Sequence, residues 1–161
     1  MWLSSRRNLV LMLVLTGCGF RPALGTDGAA QKLMGRIWPS DPKDQYGFDF
    51  VKQIEARLGR VEARDYDLTY DFAISTDGVA LTLDGATTRY NMIGTVTWTL
   101  TRHRDGLRMA GGSVDSFASY SATGSTVAGV FAREDAGRRL MTLLADQVVA
   151  RILAASTSFP V

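Results

Sequence analysis

Tyr66-Asp67-Leu68-Thr69-Tyr70-Asp71-Phe72-Ala73-Ile74-Ser75 is the stretch whose reading decides the fold. Tyr66, Leu68, Tyr70, Phe72 and Ile74 alternate with Asp67, Thr69, Asp71, Ala73 and Ser75. Successive side chains of a strand point to opposite faces, so this period of two predicts one buried and one wet face. The alternation returns after Arg89, with Tyr90, Met92, Val96, Trp98 and Leu100 on one face and Asn91, Thr95, Thr97, Thr99 and Thr101 on the other. Between the two runs, Asp77-Gly78 and Asp84-Gly85 carry turn chemistry and bracket a short apolar piece at residues 79–83. Asp105-Gly106 predicts a hairpin into a further strand over 107–120, with Gly111-Gly112 as a bulge. Adjacent hairpins imply an antiparallel sheet.

Upstream, residues 33–38 read as a first strand, stopped by Pro39 and the turn-like Ser40-Asp41-Pro42. Residues 48–58 change period: Phe50, Val51, Ile54 and Leu58 fall at helical spacing. Asp49 suits the positive end of that helix, Arg57 the negative end, and Gly59 a left-handed cap. Downstream, residues 119–125 are small and polar and read as a loop. A final helix is expected over 127–154, with an apolar stripe of Leu140, Met141, Leu144, Val148 and Ile152, and an Asp135–Arg139 pair off the stripe. The expected fold is α+β: a two-layer sandwich, two helices packed on a mainly antiparallel sheet of about four strands.

The amino terminus is of another kind. Arg6 and Arg7 precede an unbroken apolar run at 9–15, too short to span a bilayer, and the run ends in Leu15-Thr16-Gly17-Cys18. This sequence resembles the lipobox of bacterial lipoproteins, in which the cysteine thiol is alkylated by a diacylglyceryl group and the new amino terminus is acylated. Residues 1–17 are therefore expected to be a signal peptide, 18–30 a tether lipidated on Cys18, and 31–156 the folded domain. More than one acyl chain makes membrane attachment stable. Gly19 stands where an aspartate resembles an inner-membrane retention signal, which favours the periplasmic side of an outer membrane. The other reading of Cys18 is a free or paired thiol after ordinary signal cleavage.

The chain has 161 residues, 18 basic and 16 acidic, and the leader accounts for two of the basic ones. A balanced, dispersed charge argues against nucleic-acid binding. With one cysteine there is no intrachain disulfide, and packing alone must hold the core.

No catalytic constellation emerges. The one histidine, His103, lies between Arg102 and Arg104 beside a turn, so a hydrolase built on Ser119 or Ser121 lacks an evident base. Asp67 and Asp71 share a strand face but lie too far apart to hold one ion by themselves, and no metal site or cofactor is implied. Arg89, Arg102, Arg104 and Arg108 gather around the second hairpin. They either protect a strand edge or contact anionic groups such as lipid phosphates. The Thr95-to-Thr101 hydroxyl face is either solvated or packed inside a partner's aqueous lumen. A free-standing lipoprotein carrying a lipid or small ligand is a competing reading, with Tyr66, Tyr70, Tyr90 and Trp98 lining a pocket of about 300 Å³ or more.

Several stretches in order resemble the lipopolysaccharide-assembly lipoprotein family, LptE. They are Cys18-Gly19-Phe20-Arg21-Pro22, the amphipathic helix ending at Leu58, Thr88-Arg89-Tyr90-Asn91-Met92, Val114-Asp115-Ser116-Phe117 with Ser119-Tyr120-Ser121, and Leu144-Ala145-Asp146-Gln147. The resemblance implies a non-enzymatic outer-membrane lipoprotein that plugs the LptD β-barrel, assists its assembly and helps deliver lipopolysaccharide to the cell surface. It also implies two helices on a four-stranded sheet, and basic residues that touch lipopolysaccharide. Beside the Asp84-Gly85 turn, where such a residue is expected, this chain has Leu83, and Arg89 is the nearest stand-in.

Overall fold

The computed structural model describes residues 31–81, 87–122 and 125–159. The elements are β1 (Ile37–Pro39), α1 (Gln45–Leu58), β2 (Tyr66–Leu81), β3 (Thr87–Arg102), β4 (Arg108–Ser121) and α2 (Thr126–Ala155), followed by a 3-10 turn at Ser156–Ser158. The four strands lie side by side in chain order. The pairs β2–β3 and β3–β4 are antiparallel, and β1 runs parallel to β2. A parallel neighbour requires a crossover, which α1 provides. The result is the expected α+β sandwich, with a mixed sheet.

The alternation along β2 and β3 sorts the two faces. Leu68, Met92, Val96, Trp98, Leu100, Val114 and Ala118 are buried in one cluster with Phe50, Ile54 and Leu58 of α1 and the Leu140–Met141–Leu144–Val148–Ile152 stripe of α2. Phe50 sits 4.8 Å from the Tyr70 ring and 5.2 Å from that of Phe72. Gly94 lies where α2 crosses β3, and a Cβ there would stand 3.0 Å from Leu140 and 3.1 Å from Leu144. By length and composition α2 could cross a bilayer. Its apolar stripe is instead the roof of this core.

The structure departs from the local expectations at several places. The first strand is only Ile37–Pro39, and residues 31–36 form turns. Leu33 still reaches the core, and Gly35, at φ +66°, donates to the Leu58 carbonyl at 2.7 Å. Pro39 ends the strand from within, which an edge strand tolerates because one face of its backbone is unpaired. Helix α1 begins at Gln45, because the Asp44 carboxylate accepts from the Gly47 N–H at 2.7 Å and caps it. Gly59 takes the expected positive φ, +81°, but with an extended ψ of 161°.

Asp77-Gly78 does not turn. Asp77 pairs with Asn91 and Gly78 with Tyr90, so β2 runs on, with slips in register only beyond Gly78. A full-length partner strand satisfies these backbone groups, and that outweighs local turn preference. The second turn signal, Asp84-Gly85, lies outside the described residues, as does Leu83. Gly111 and Gly112 pair in register with Thr99 and Trp98, and the irregularity falls instead between Leu100 and Thr101. Ser119, Tyr120 and Ser121 belong to β4 rather than to a loop, and Tyr120 stacks on Tyr90 at 5.3 Å.

The helices are tied to each other by one carboxylate. Asp146 accepts from Arg57 Nε and Nη2, both at 2.8 Å, and from Gln53 Nε2 at 2.9 Å. The Arg57 hydrogen bonds hold the Asp146 carboxyl below the usual carboxylate range, with partial burial opposing and Gln53 assisting. A carboxyl lowered on folding contributes stability above its unfolded pKa of about 3.9, and that contribution is lost as pH falls through the folded value. Asp146→Asn is therefore expected to unfold at lower urea than the parent at pH 7. The difference should shrink once the pH drops below about 4. Urea midpoints that differ equally at pH 7 and pH 3 would show that the charge on Asp146 contributes nothing.

Candidate functional site

The cations expected around the second hairpin separate into two groups. Arg102 ends β3, Arg104 lies in the turn and Arg108 begins β4, so these three share one end of the sheet. Arg89 pairs with Ser121 near the other end, thirteen strand residues from Arg102, or about 43 Å at the usual strand rise. Asp105 lies 3.5 Å from Arg102 and 3.6 Å from Arg104. The Arg102 guanidinium is mostly buried and also meets the Met109 sulfur at 3.6 Å. Arg108 has no carboxylate partner among the described residues and folds back over Gly111. Gly106, at φ +68°, makes the tight turn that holds them together.

Asp67 organises the same end. Its carboxylate accepts from Arg64 Nε at 2.6 Å and meets His103 Nδ1 at 2.7 Å. Burial raises its pKa, but the His103 and Arg64 hydrogen bonds outweigh that and hold it below the ordinary value. Arg64 in turn covers the Trp38 ring at 5.1 Å. His103 is thus a strut between β2 and the turn. Ser119 donates to Asn91 Oδ1 at 2.7 Å, at the opposite end of the sheet from His103, so these two cannot form a nucleophile–base pair. Asp71, two pairs further along β2 from Thr69, opposes Thr97, and no group of three potential metal ligands exists among the described residues.

The sheet face away from the helices carries Asp67, Thr69 and Asp71 on β2, Thr95, Thr97, Thr99 and Thr101 on β3, and Ser113 and Asp115 on β4. Several hydroxyls lean on the sheet itself, such as Thr101 on the Asp67 carbonyl at 3.4 Å. Ile93 and Phe117 oppose each other on this face and form an apolar island, Phe117 being 60% exposed. No helix of the described residues covers it.

The aromatic pocket is not assembled. Tyr70 packs on Phe72 and donates to the Ser40 carbonyl at 3.1 Å, Tyr66 lies against Phe159, and Tyr90 stacks on Tyr120. Trp98 borders an open notch of about 240 Å³ beside β4 and the end of α2. That is below the size of a small-molecule site, about 300–1,000 Å³.

What the sequence pattern missed is how α2 guards the outer edge of β4. Arg139 donates to the Ser119 carbonyl and Gln147 to the Asp115 carbonyl, both at 3.1 Å. Their spacing of eight on a helix puts two donors on one flank, a signal that becomes readable only once the edge strand is known.

A model of a lipopolysaccharide-assembly family, LptE, matches residues 36–152. No protein of curated function matches the sequence. Among solved structures, a protein described as a lipoprotein from Caulobacter crescentus superposes with a TM-score of 0.66 at 15% identity, over 80% of this chain and 96% of that one. Rare lipoprotein B from Shewanella oneidensis gives 0.58 at 12% identity, over 76% of this chain and 95% of that one. Lipoprotein B from Nitrosomonas europaea gives 0.57 at 11% identity, over 76% of this chain and 84% of that one. At these identities the likeness is one of fold.

Proposed function

Because the chain belongs to the lipopolysaccharide-assembly family LptE, we propose that it is a lipid-anchored, non-catalytic component of lipopolysaccharide export, seated as a plug in an LptD-like outer-membrane β-barrel. The family match over residues 36–152 is the observation that carries this reading. The surface chemistry agrees with it. The lumen of a large outer-membrane barrel is polar, and the uncovered hydroxyl face of the sheet suits such surroundings. A core closed by fully buried side chains suits a rigid wedge better than a carrier.

Cys18 is the proposed attachment point, with residues 1–17 removed and 18–30 as the tether. Residue 35 is bonded to Leu58, and Ile37 pairs with Tyr66, which pairs with Arg102. The tether therefore joins the domain at the end that bears Arg102, Arg104 and Arg108. Thirteen residues extend at most about 45 Å, enough to place that end near the membrane's phosphates while the domain sits in the barrel. These three arginines are the candidate contacts for anionic lipid headgroups, and Arg89 is a separate candidate at the far end.

The test is depletion in cells, together with purification from detergent-solubilised envelopes. The expected result is co-purification with a large outer-membrane β-barrel and a fall in surface lipopolysaccharide on depletion. Recovery of the chain alone, with lipopolysaccharide export unchanged after its loss, would end this reading.

A further inference from the structure

Helix α2 guards β4 only in part. The carbonyls of Ser119 and Asp115, which it caps, point away from β3, and by the two-residue period those of Ser113 and Gly111 point the same way. Four residues of strand rise about 13 Å and eight residues of helix about 12 Å, so the two ladders keep step. After Gln147 the next positions on that flank of the helix are Arg151 and Ala155. Ala155 has no donor, and Arg151 makes no hydrogen bond or ion pair among the described residues. Capping therefore stops at residues 111–113.

The notch lies at that same place, bordered by Trp98, Gly112, Ser113, Arg151 and Ala155. Gly112 is paired with Trp98, and a Cβ on it would meet nothing within 4 Å. Trp98 is only 3% exposed, yet its indole Nε1–H has no acceptor. A buried donor without a partner is costly, and the great majority of such groups are satisfied in native structures. The residue that carries this unsatisfied group borders the same notch as Arg151, an exposed arginine.

We propose that residues 111–113 of β4 take an extended peptide segment whose acidic side chain enters the notch and accepts from Trp98 and Arg151. An uncovered edge supplies the main-chain hydrogen bonds for an added strand. Gly112, with open space where a Cβ would stand, lets a second backbone approach closely. The notch is too small for a drug-sized molecule but large enough for one side chain. A carboxylate is the acceptor that serves an indole N–H and a guanidinium together. Arg151 stands exposed on the notch wall. The inference does not rest on the export reading, since it concerns an edge and a notch that any acidic strand would fit.

Indole N–H resonances of the full-length, detergent-solubilised chain report on the notch directly. Of the three tryptophans, Trp2 lies in the proposed signal peptide, and a Trp38→Phe variant leaves Trp98 identified in the processed chain. The probe is a capped hexapeptide, Thr-Val-Thr-Glu-Thr-Val, set against the same peptide with Gln in place of Glu and against acetate alone. The expected result is a saturable downfield shift of the Trp98 indole, weakened about tenfold or more by the Gln peptide and by Arg151→Ala. Gly112→Leu, which fills open space, should keep the native circular dichroism and abolish the shift. A Trp98 resonance unmoved at millimolar peptide would overturn the proposal. So would acetate acting as strongly as the peptide, or a folded Gly112→Leu chain that still binds.

Discussion

Phe50→Ala is expected to lower the unfolding free energy by about 3–5 kcal/mol, the usual cost of emptying a large buried aromatic site. Phe50 is fully buried, and its ring touches those of Tyr70 and Phe72, themselves 5.2 Å apart. The three rings join α1 to β2 across the layer boundary. Tyr70 is further held through the Ser40 carbonyl just after β1. Removing the ring therefore leaves a cavity between α1 and β2, and rings fixed on a strand cannot collapse far into it. Domains of this size are stable by about 5–15 kcal/mol, so the variant should sit near the edge of folding. Phe50→Leu keeps much of the volume and should cost less than half as much. Urea unfolding followed by circular dichroism reads both. A loss below about 1 kcal/mol for the alanine variant would mean that the cluster does not bear the layer contact.

Gly94→Val should destabilise by about 1–3 kcal/mol, although valine is the better strand former. A Cβ at this position would already lie 3.0 Å from a Leu140 methyl and 3.1 Å from a Leu144 methyl, and valine adds two further carbons. Either α2 lifts from the sheet or both leucines leave their rotamers. Because Leu140 and Leu144 are themselves fully buried, neither route is cheap. Combining Gly94→Val with Leu140→Ala tests the cause. The double variant should be less destabilised than the sum of the singles, by about 0.5–3 kcal/mol. Additive losses would place the effect in the strand rather than at the helix contact.

Both predictions show how the core was legible. Phe50, Leu140 and their neighbours stand at a helical period, and Met92, Val96, Trp98 and Leu100 at a strand period, so the faces followed from spacing alone. The hairpin at Asp105-Gly106 was legible for the same reason, since its glycine supplies the positive φ that the turn requires. Turn chemistry misled at Asp77-Gly78 and bulge chemistry at Gly111-Gly112, because in each case a long partner strand decided the pairing. The start of α1 was misplaced for a different reason: Asp44, its capping residue, precedes the apolar stripe and has no part in the periodicity.

The candidate contacts were less legible. Grouping Arg89 with Arg102, Arg104 and Arg108 by their nearness to one hairpin ignored the length of β3, which carries Arg89 to the other end of the sheet. Asp146 and Gln147 stood out in a familiar stretch, yet their tasks, binding Arg57 and sealing the Asp115 carbonyl, depend on residues 89 and 32 positions away.

From the amino acids alone came the class of the main helices and strands, the face each of them buries and the two-layer architecture, because period and composition act within a few residues. Tertiary structure alone decided the parallel placement of β1, the register of the strands, the carboxylate that joins the helices and the partly guarded edge of β4. Those features are pairings between segments distant in sequence, fixed by which groups the packed core leaves in need of a partner, and no local window of sequence holds that information.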